Sequence, residues 1–182
     1  RSIPSWISSQ EEMISLSSDG VEGSLNAQLG LVPGQSAVAI AEIINAVIGS
    51  VEIRFSGFSE NFSGLLEILI QPKDFKNLLT LSTGFIFNTS LADPSYYQGE
   101  LHWLDWLLTK GDQILISGFE FEPGGNLGRS RAGRMVESPM GDWRISPEFA
   151  GTKGDNFITR AFNKQIQSKI TEIVKKTVNK RL

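Results

Sequence analysis

The sequence predicts an all-β domain, a sandwich or jelly roll with short inserted helices and a C-terminal amphipathic helix. Three observations carry this expectation. Seven or eight short apolar runs are separated by turn signals along 182 residues. The composition favours turns and strands, with 18 Gly, 7 Pro and 11 Phe. Two stretches, Val21 to Leu31 and Ser50 to Gly57, alternate apolar and polar residues with a period of two, the signature of a strand with one buried face. The length suits one domain, and an apolar fraction of 40% is enough to bury a core.

The elements follow in order. Arg1 to Gln10, with Pro4 and several serines, reads as irregular, and Glu12 to Leu16 as a short strand. Ser17-Ser18-Asp19-Gly20 is a turn, because Asp-Gly supplies a positive-φ position. In the next strand Val21, Gly23, Leu25, Ala27, Leu29 and Leu31 share one face, and Val32-Pro33-Gly34 stops it. Ala37 to Val47 holds no breaker and reads as a short buried helix, capped by Ser36 and ended by Gly49 in left-handed geometry. Val51, Ile53 and Phe55 then alternate with Glu52 and Arg54. Phe58 to Ser63 is a loop, and Gly64 to Ile70 a strand whose nearly continuous apolar character predicts burial on both faces. Lys73 to Leu79 is a short helix or turn, and Thr80 to Asn88 a strand. Tyr96 to Leu107 fits both helical and strand spacing. Gln113 to Glu122 is a strand, Pro123 to Gly128 a flexible turn, and Ser138 to Gly154, with Pro139 and Pro147, irregular. From Asp155 onward Ile158, Phe162, Ile166, Ile170, Ile173, Val174 and Val178 form one broad helical face flanked by basic residues.

Composition excludes several chemistries. Without cysteine there is no disulfide framework, thiolate catalysis or Cys-ligated metal site. With His102 as the single histidine there is no multi-histidine metal site. No apolar run is long enough for a transmembrane helix, and no signal peptide is visible. The net charge of −3 averages two unlike parts. Residues 1–128 carry 5 Lys and Arg against 15 Asp and Glu, a balance of −10. Residues 129–182 carry 12 against 5, a balance of +7. A basic end of this kind meets nucleic-acid phosphate, solvent, or the acidic surface of a neighbouring subunit.

Candidate sites are few. Gly124 to Arg129 is glycine-rich but lacks the Gly-Lys-Ser/Thr end of a phosphate-binding loop, so a surface turn is expected. Arg129, Arg131 and Arg134 follow it and could pair with RNA phosphate or a neighbouring subunit. Arg160, Lys164, Lys169, Lys175, Lys176, Lys180 and Arg181 of the terminal helix could do the same. His102, a lone histidine between Leu101 and Trp103 in an aromatic stretch, reads as structural, and no serine stands in a Gly-x-Ser-x-Gly setting. Glu100 and Asp105 could form a glycosidase pair only if the fold joined them. Trp103 and Trp106 read as core rather than as stacking platforms. The acceptor patterns at Asn61 and Asn88 are read as fortuitous. No catalytic, cofactor-binding or metal-ligating residue is assigned.

One stretch is more specific. It runs from Ile40-Ala41-Glu42-Ile43 through Gly49-Ser50-Val51-Glu52-Ile53-Arg54-Phe55-Ser56-Gly57 to Ser63-Gly64-Leu65-Leu66-Glu67-Ile68-Leu69-Ile70-Gln71-Pro72. A short helix, a Gly-Ser leading a strand, a bend, and a Gly-opened strand ending in Pro resemble the coat proteins of picornavirus-like viruses. Leu31-Val32-Pro33 and Glu100-Leu101-His102-Trp103 fit the same order, so the resemblance covers residues 21–122. It implies a single eight-stranded antiparallel jelly roll. The implied organisation is an N-terminal arm and first strand over 1–20, a capsid domain over 21–150 and a basic helical extension over 151–182. It further implies a non-enzymatic coat protein that joins sister subunits in an icosahedral shell around a positive-strand RNA genome. Such a protein takes no cofactor or small-molecule substrate, makes no membrane contact, and assembles into virions in the host cytoplasm. Starting at Arg1 rather than Met fits release from a polyprotein, and the size fits the smallest of the three coat proteins of a plant secovirus of the cheravirus type. The rival reading is a β-rich lipid- or carbohydrate-binding module with a membrane-docking basic helix. A third, a hydrolase built on Trp103 and scattered acids, has less to support it.

Overall fold

The computed structural model describes residues 3–57, 64–70, 72–87, 100–163, 171–172 and 175. It corrects the expected fold class. Among the described residues there are three separate two-stranded antiparallel sheets, not one eight-stranded jelly roll, and helices supply most of the core.

The N-terminal segment read as irregular is helix α1 (Ile3–Ser8), which buries Trp6 and Ile7. The segment read as a strand is helix α2 (Glu11–Ser17), which buries Glu12, Met13 and Leu16. Steps of one, three and four residues put all three on one helical face. The expected Asp-Gly turn forms, with Gly20 at φ 73°. The period-two strand over Val21 to Leu31 does not. Helix α3 (Leu25–Gln28) takes its place, with the Ala27 N–H donating to the Ser24 hydroxyl at 3.1 Å. Leu25, Ala27, Leu29 and Leu31 are buried as the alternation requires, but Asn26 between them is buried too, which an exposed strand face would not allow.

Helix α4 (Gln35–Gly49) is the expected central helix, two residues longer at each end. Ser36, Ala39, Ile43 and Val47 form its buried stripe. Its N-cap is Gly34 in the left-handed region, not Ser36, and Gly49 is its last residue without positive φ. Asp19 ties this start to the preceding loops. Its carboxylate accepts from the Gly34 N–H at 2.8 Å, the Ser36 hydroxyl at 2.9 Å and the Asn26 amide at 2.7 Å.

Strands β1 (Val51–Ser56) and β2 (Leu65–Ile70) then form a hairpin, with Val51 opposite Ile70 and Ser56 opposite Leu65. The expected burial of the second strand on both faces fails: Leu65 is exposed, and Leu69 and Ile70 are half-buried. The loop over 58–63 lies outside the described residues. Helix α5 (Lys76–Leu79) follows. In place of the expected strand over 80–88, of which 88 lies outside the described residues, there are a 3-10 turn (Ser82–Gly84) and a two-residue strand β3 (Ile86–Phe87), paired with β4 (Glu100–Leu101). Of the ambiguous stretch over 96–107, residues 96–99 lie outside the described residues, 100–101 are β4, and from Trp103 it is helix α6 (Trp103–Leu108), whose Trp103, Leu104, Leu107 and Leu108 are buried. Strand β5 (Ile116–Pro123) pairs with β6 (Gly133–Trp143), which occupies ground expected to be partly irregular. Helix α7 spans 157–163, and Phe157, Ile158, Ala161 and Phe162 are buried.

One core runs from Trp6 to Phe162, across the expected boundaries at 20 and 150. Trp6 meets Phe162 edge-on, with ring centroids 5.9 Å apart. The physical reason for the correction lies in this core. A jelly roll buries alternate residues of two facing sheets. Here α1, α2 and α5 pack on α4, and among the described residues the strands pair only as β1 with β2, β3 with β4 and β5 with β6.

Candidate functional site

Two features stand out from this framework: a polar cleft between the N-terminal helices and α7, and an exposed apolar hairpin. The cleft, of about 830 Å³, lies between the α1–α2 junction, residues 147–150 and the start of α7. Its wall includes Ser9, Glu11, Glu12, Glu148, Asp155 and Arg160. Glu12 is 2% exposed, because it lies on the same face of α2 as Met13 and Leu16. Arg160 reaches it from α7 and also donates to Asp155 at 2.8 Å. Arg160 was a candidate for RNA or subunit contact, and the structure instead commits its guanidinium to these two carboxylates. Among the described residues no group of three potential ligands could hold a metal ion.

Burial holds the Glu12 carboxyl above its ordinary value of 4.5, against the lowering effect of Arg160. The native chain therefore keeps this proton to higher pH than the unfolded chain. The stability contributed by Glu12 is full below the ordinary value and is lost as pH rises through the raised one. Glu12→Gln should accordingly gain on the parent chain between about pH 4 and pH 7. Urea unfolding of both chains at the two pH values checks this, and a relative loss would mean that Arg160 outweighs burial.

The arginine cluster occupies a closely bonded loop, not the flexible turn expected. The Asn126 N–H donates to the Arg131 carbonyl at 2.8 Å, and the Gly133 N–H to the Leu127 carbonyl at 3.1 Å. Asn126, Gly128 and Arg131 all have positive φ, and a side chain at 128 would collide with the Gly133 carbonyl. The buried Ser130 hydroxyl donates to the Ala27 carbonyl at 3.3 Å, which seats the loop on α3. Arg129, Arg131 and Arg134 are therefore exposed, and Arg134 pairs with Glu122 at 2.8 Å. Lys175 is helical and exposed. Lys164, Lys169, Lys176, Lys180 and Arg181 lie outside the described residues.

Among the described residues the enzymatic candidates are tied into the fold. His102 precedes α6 and stacks on Phe85, with ring centroids 4.1 Å apart. Trp103 donates to the Thr83 carbonyl at 3.0 Å and Trp106 to the Gln113 carbonyl at 3.3 Å. The Asp105 carboxylate accepts from Thr109, and Lys110 lies 3.7 Å away. The Glu100 side chain and Asn88 lie outside the described residues, as does Asn61.

The hairpin was legible as a strand pair but not as a surface. Beyond half-buried Val51, every residue of β1 is exposed. Ile53 is 65% exposed, Phe55 57% and Leu65 58%. A second protrusion arises in β6. Between the pairs Ser117–Asp142 and Phe119–Glu137, four residues of β6 stand against Gly118 alone. This bulge turns Met140 fully outward, at 97% exposure. Sequence reading missed Glu12, whose signal was its own four-residue spacing to Leu16, with Met13 and Leu16 three apart on the same face. It also missed Met140, whose signal was the Ser138-Pro139-Met140-Gly141 interruption.

No protein-family model, no curated protein and no solved structure matches this chain.

Proposed function

We propose that this chain is a non-enzymatic structural subunit that works by joining other protein subunits, the role implied by its resemblance to picornavirus-like coat proteins. The observation that carries the reading is the β1–β2 hairpin, with Ile53, Phe55 and Leu65 exposed and both strand edges unpaired among the described residues. Apolar strand edges in water are templates for pairing with another chain, and a monomer normally blunts or covers them. In this reading the hairpin is an arm that becomes buried on assembly, and Met140 is a second point of contact. The coat-protein version places the subunit in a virion formed in the host cytoplasm. Arg129, Arg131 and Arg134 are its candidates for contact with genomic RNA or an acidic neighbour. It does not require a jelly roll.

The rival lipid-binding reading has less to work with. The apolar residues of 157–163 are spent on the chain's own core, and the cleft is lined by carboxylates. Light scattering coupled to size exclusion, over a range of concentrations and with sister subunits from the same precursor, tests the proposal. Concentration-dependent assembly of the full chain is expected, and Ile53→Lys/Phe55→Lys should keep the fold while losing it. A parent chain that stays monomeric under all these conditions would overturn the reading.

A further inference from the structure

We propose that the outer edge of β1 pairs antiparallel with β1 of a second copy, around a twofold axis at Ile53. This rests on the assembly reading above and names its first partner. β1 is hydrogen-bonded to β2 on one side, and among the described residues no strand pairs with its other side. Its sequence from Val51 to Phe55 runs apolar, acidic, apolar, basic, apolar.

Read backwards about Ile53, that pattern is its own complement. Ile53 meets the partner's Ile53, Val51 meets the partner's Phe55, and Glu52 meets the partner's Arg54. Other registers fail. An axis at Glu52 or Arg54 sets like charges against each other, and an axis midway between Ile53 and Arg54 sets apolar residues against charged ones. In-register parallel pairing also matches like with like. The β2 edge, Leu65 to Ile70, carries Glu67 and no base, so it has no such complement. Within β1, Arg54 already donates to Glu52 at 2.8 and 3.0 Å, so the two charges share one face and reach each other. Pairing would join two such couples into one ring of alternating charge. The same axis brings exposed Ile53 and Phe55 against apolar cross-strand neighbours. The contact is isologous and closes on itself, so it yields a dimer rather than a filament.

Charge reversal tests this directly with the full chain. Glu52→Arg sets two arginines opposite each other, and Arg54→Glu sets two glutamates. Each variant alone should dimerise about tenfold or more weakly than the parent. Mixed together they should form a one-to-one heterodimer close to parental affinity, because each arginine then faces a glutamate. Circular dichroism would verify that both variants keep the fold.

Because the sequence has no cysteine, oxidation gives a second readout. Ile53→Cys should crosslink across the axis, where facing Cα atoms lie about 4.5–5.5 Å apart. Ser56→Cys should not, since the two copies would lie about 20 Å apart along the strands. Equal crosslinking at both positions, or single variants that dimerise like the parent, would overturn the β1 junction while leaving assembly by another surface intact. A parent chain that stays monomeric both alone and with sister subunits, together with an Ile53→Cys variant that does not crosslink, would overturn both.

Discussion

Replacing Trp103 with alanine should lower the free energy of unfolding by about 4 kcal/mol. Trp103 is wholly buried at the start of α6. Its indole N–H donates to the Thr83 carbonyl at 3.0 Å, so the side chain fastens α6 to the 3-10 turn. Truncation opens a cavity that close-packed neighbours cannot fully fill. It also leaves the Thr83 carbonyl without this donor. Trp103→Phe should cost less, because most of the volume remains. Urea unfolding measures both, and a loss below about 1 kcal/mol for the alanine variant would place Trp103 outside the core. The result also bears on function, since a stacking platform for sugars or bases has to be exposed.

Replacing Arg160 with alanine should cost about 3 kcal/mol, toward the lower end for a broken buried pair because Arg160 is partly open to solvent. Glu12 would be left as a buried carboxyl without its cation, which must either stay charged away from water or take up a proton, and α2 would lose this tie to α7. The double variant Glu12→Gln/Arg160→Met should recover most of the loss, since it removes both charges and keeps apolar volume. A loss that the double variant leaves unchanged would mean that the ion pair itself, rather than a stranded Glu12 charge or the apolar volume of the Arg160 stem, holds α7 to α2. Either result separates Arg160 from Arg129, Arg131 and Arg134. Neutralising these exposed arginines is a surface change of small expected effect on stability.

The legibility of the sequence varied with element length. Helix α4 was readable because 15 residues carry four full turns of apolar spacing and no breaker. β1 was readable because its alternation is strict and its start is marked by Gly49-Ser50. Short segments were not. Over Glu11 to Ser17 and Val21 to Leu31 a few apolar residues satisfy both a period of two and a period of 3.6. Local pattern therefore cannot choose. Burial around α4 chose helix for the first and a short capped turn of helix for the second. The resemblance to coat proteins rested on strands before and after residues 40–72, of which the first is replaced by α3 and the second is only the two residues of β4, and on a helix–strand–strand order over 40–72, which α4, β1 and β2 follow. It does not determine how the strands pair beyond one hairpin.

The candidate site was legible in part. The exposure of Arg129, Arg131 and Arg134 followed from glycines and charge in a loop. The Glu12–Arg160 pair joins residues 148 positions apart, and no local pattern can signal such a contact.

By itself the sequence determined the absence of cysteine and multi-histidine chemistry, the contrast between an acidic first part and a basic end, the central helix, and a self-complementary β1. These are properties of composition and of local spacing. Only the tertiary structure decided that helices rather than two sheets form the core, that β1 faces outward, and that Arg160 serves the fold. The reason is physical: periodicity says which residues share a face, while the surroundings assembled from distant segments decide whether that face meets protein or water.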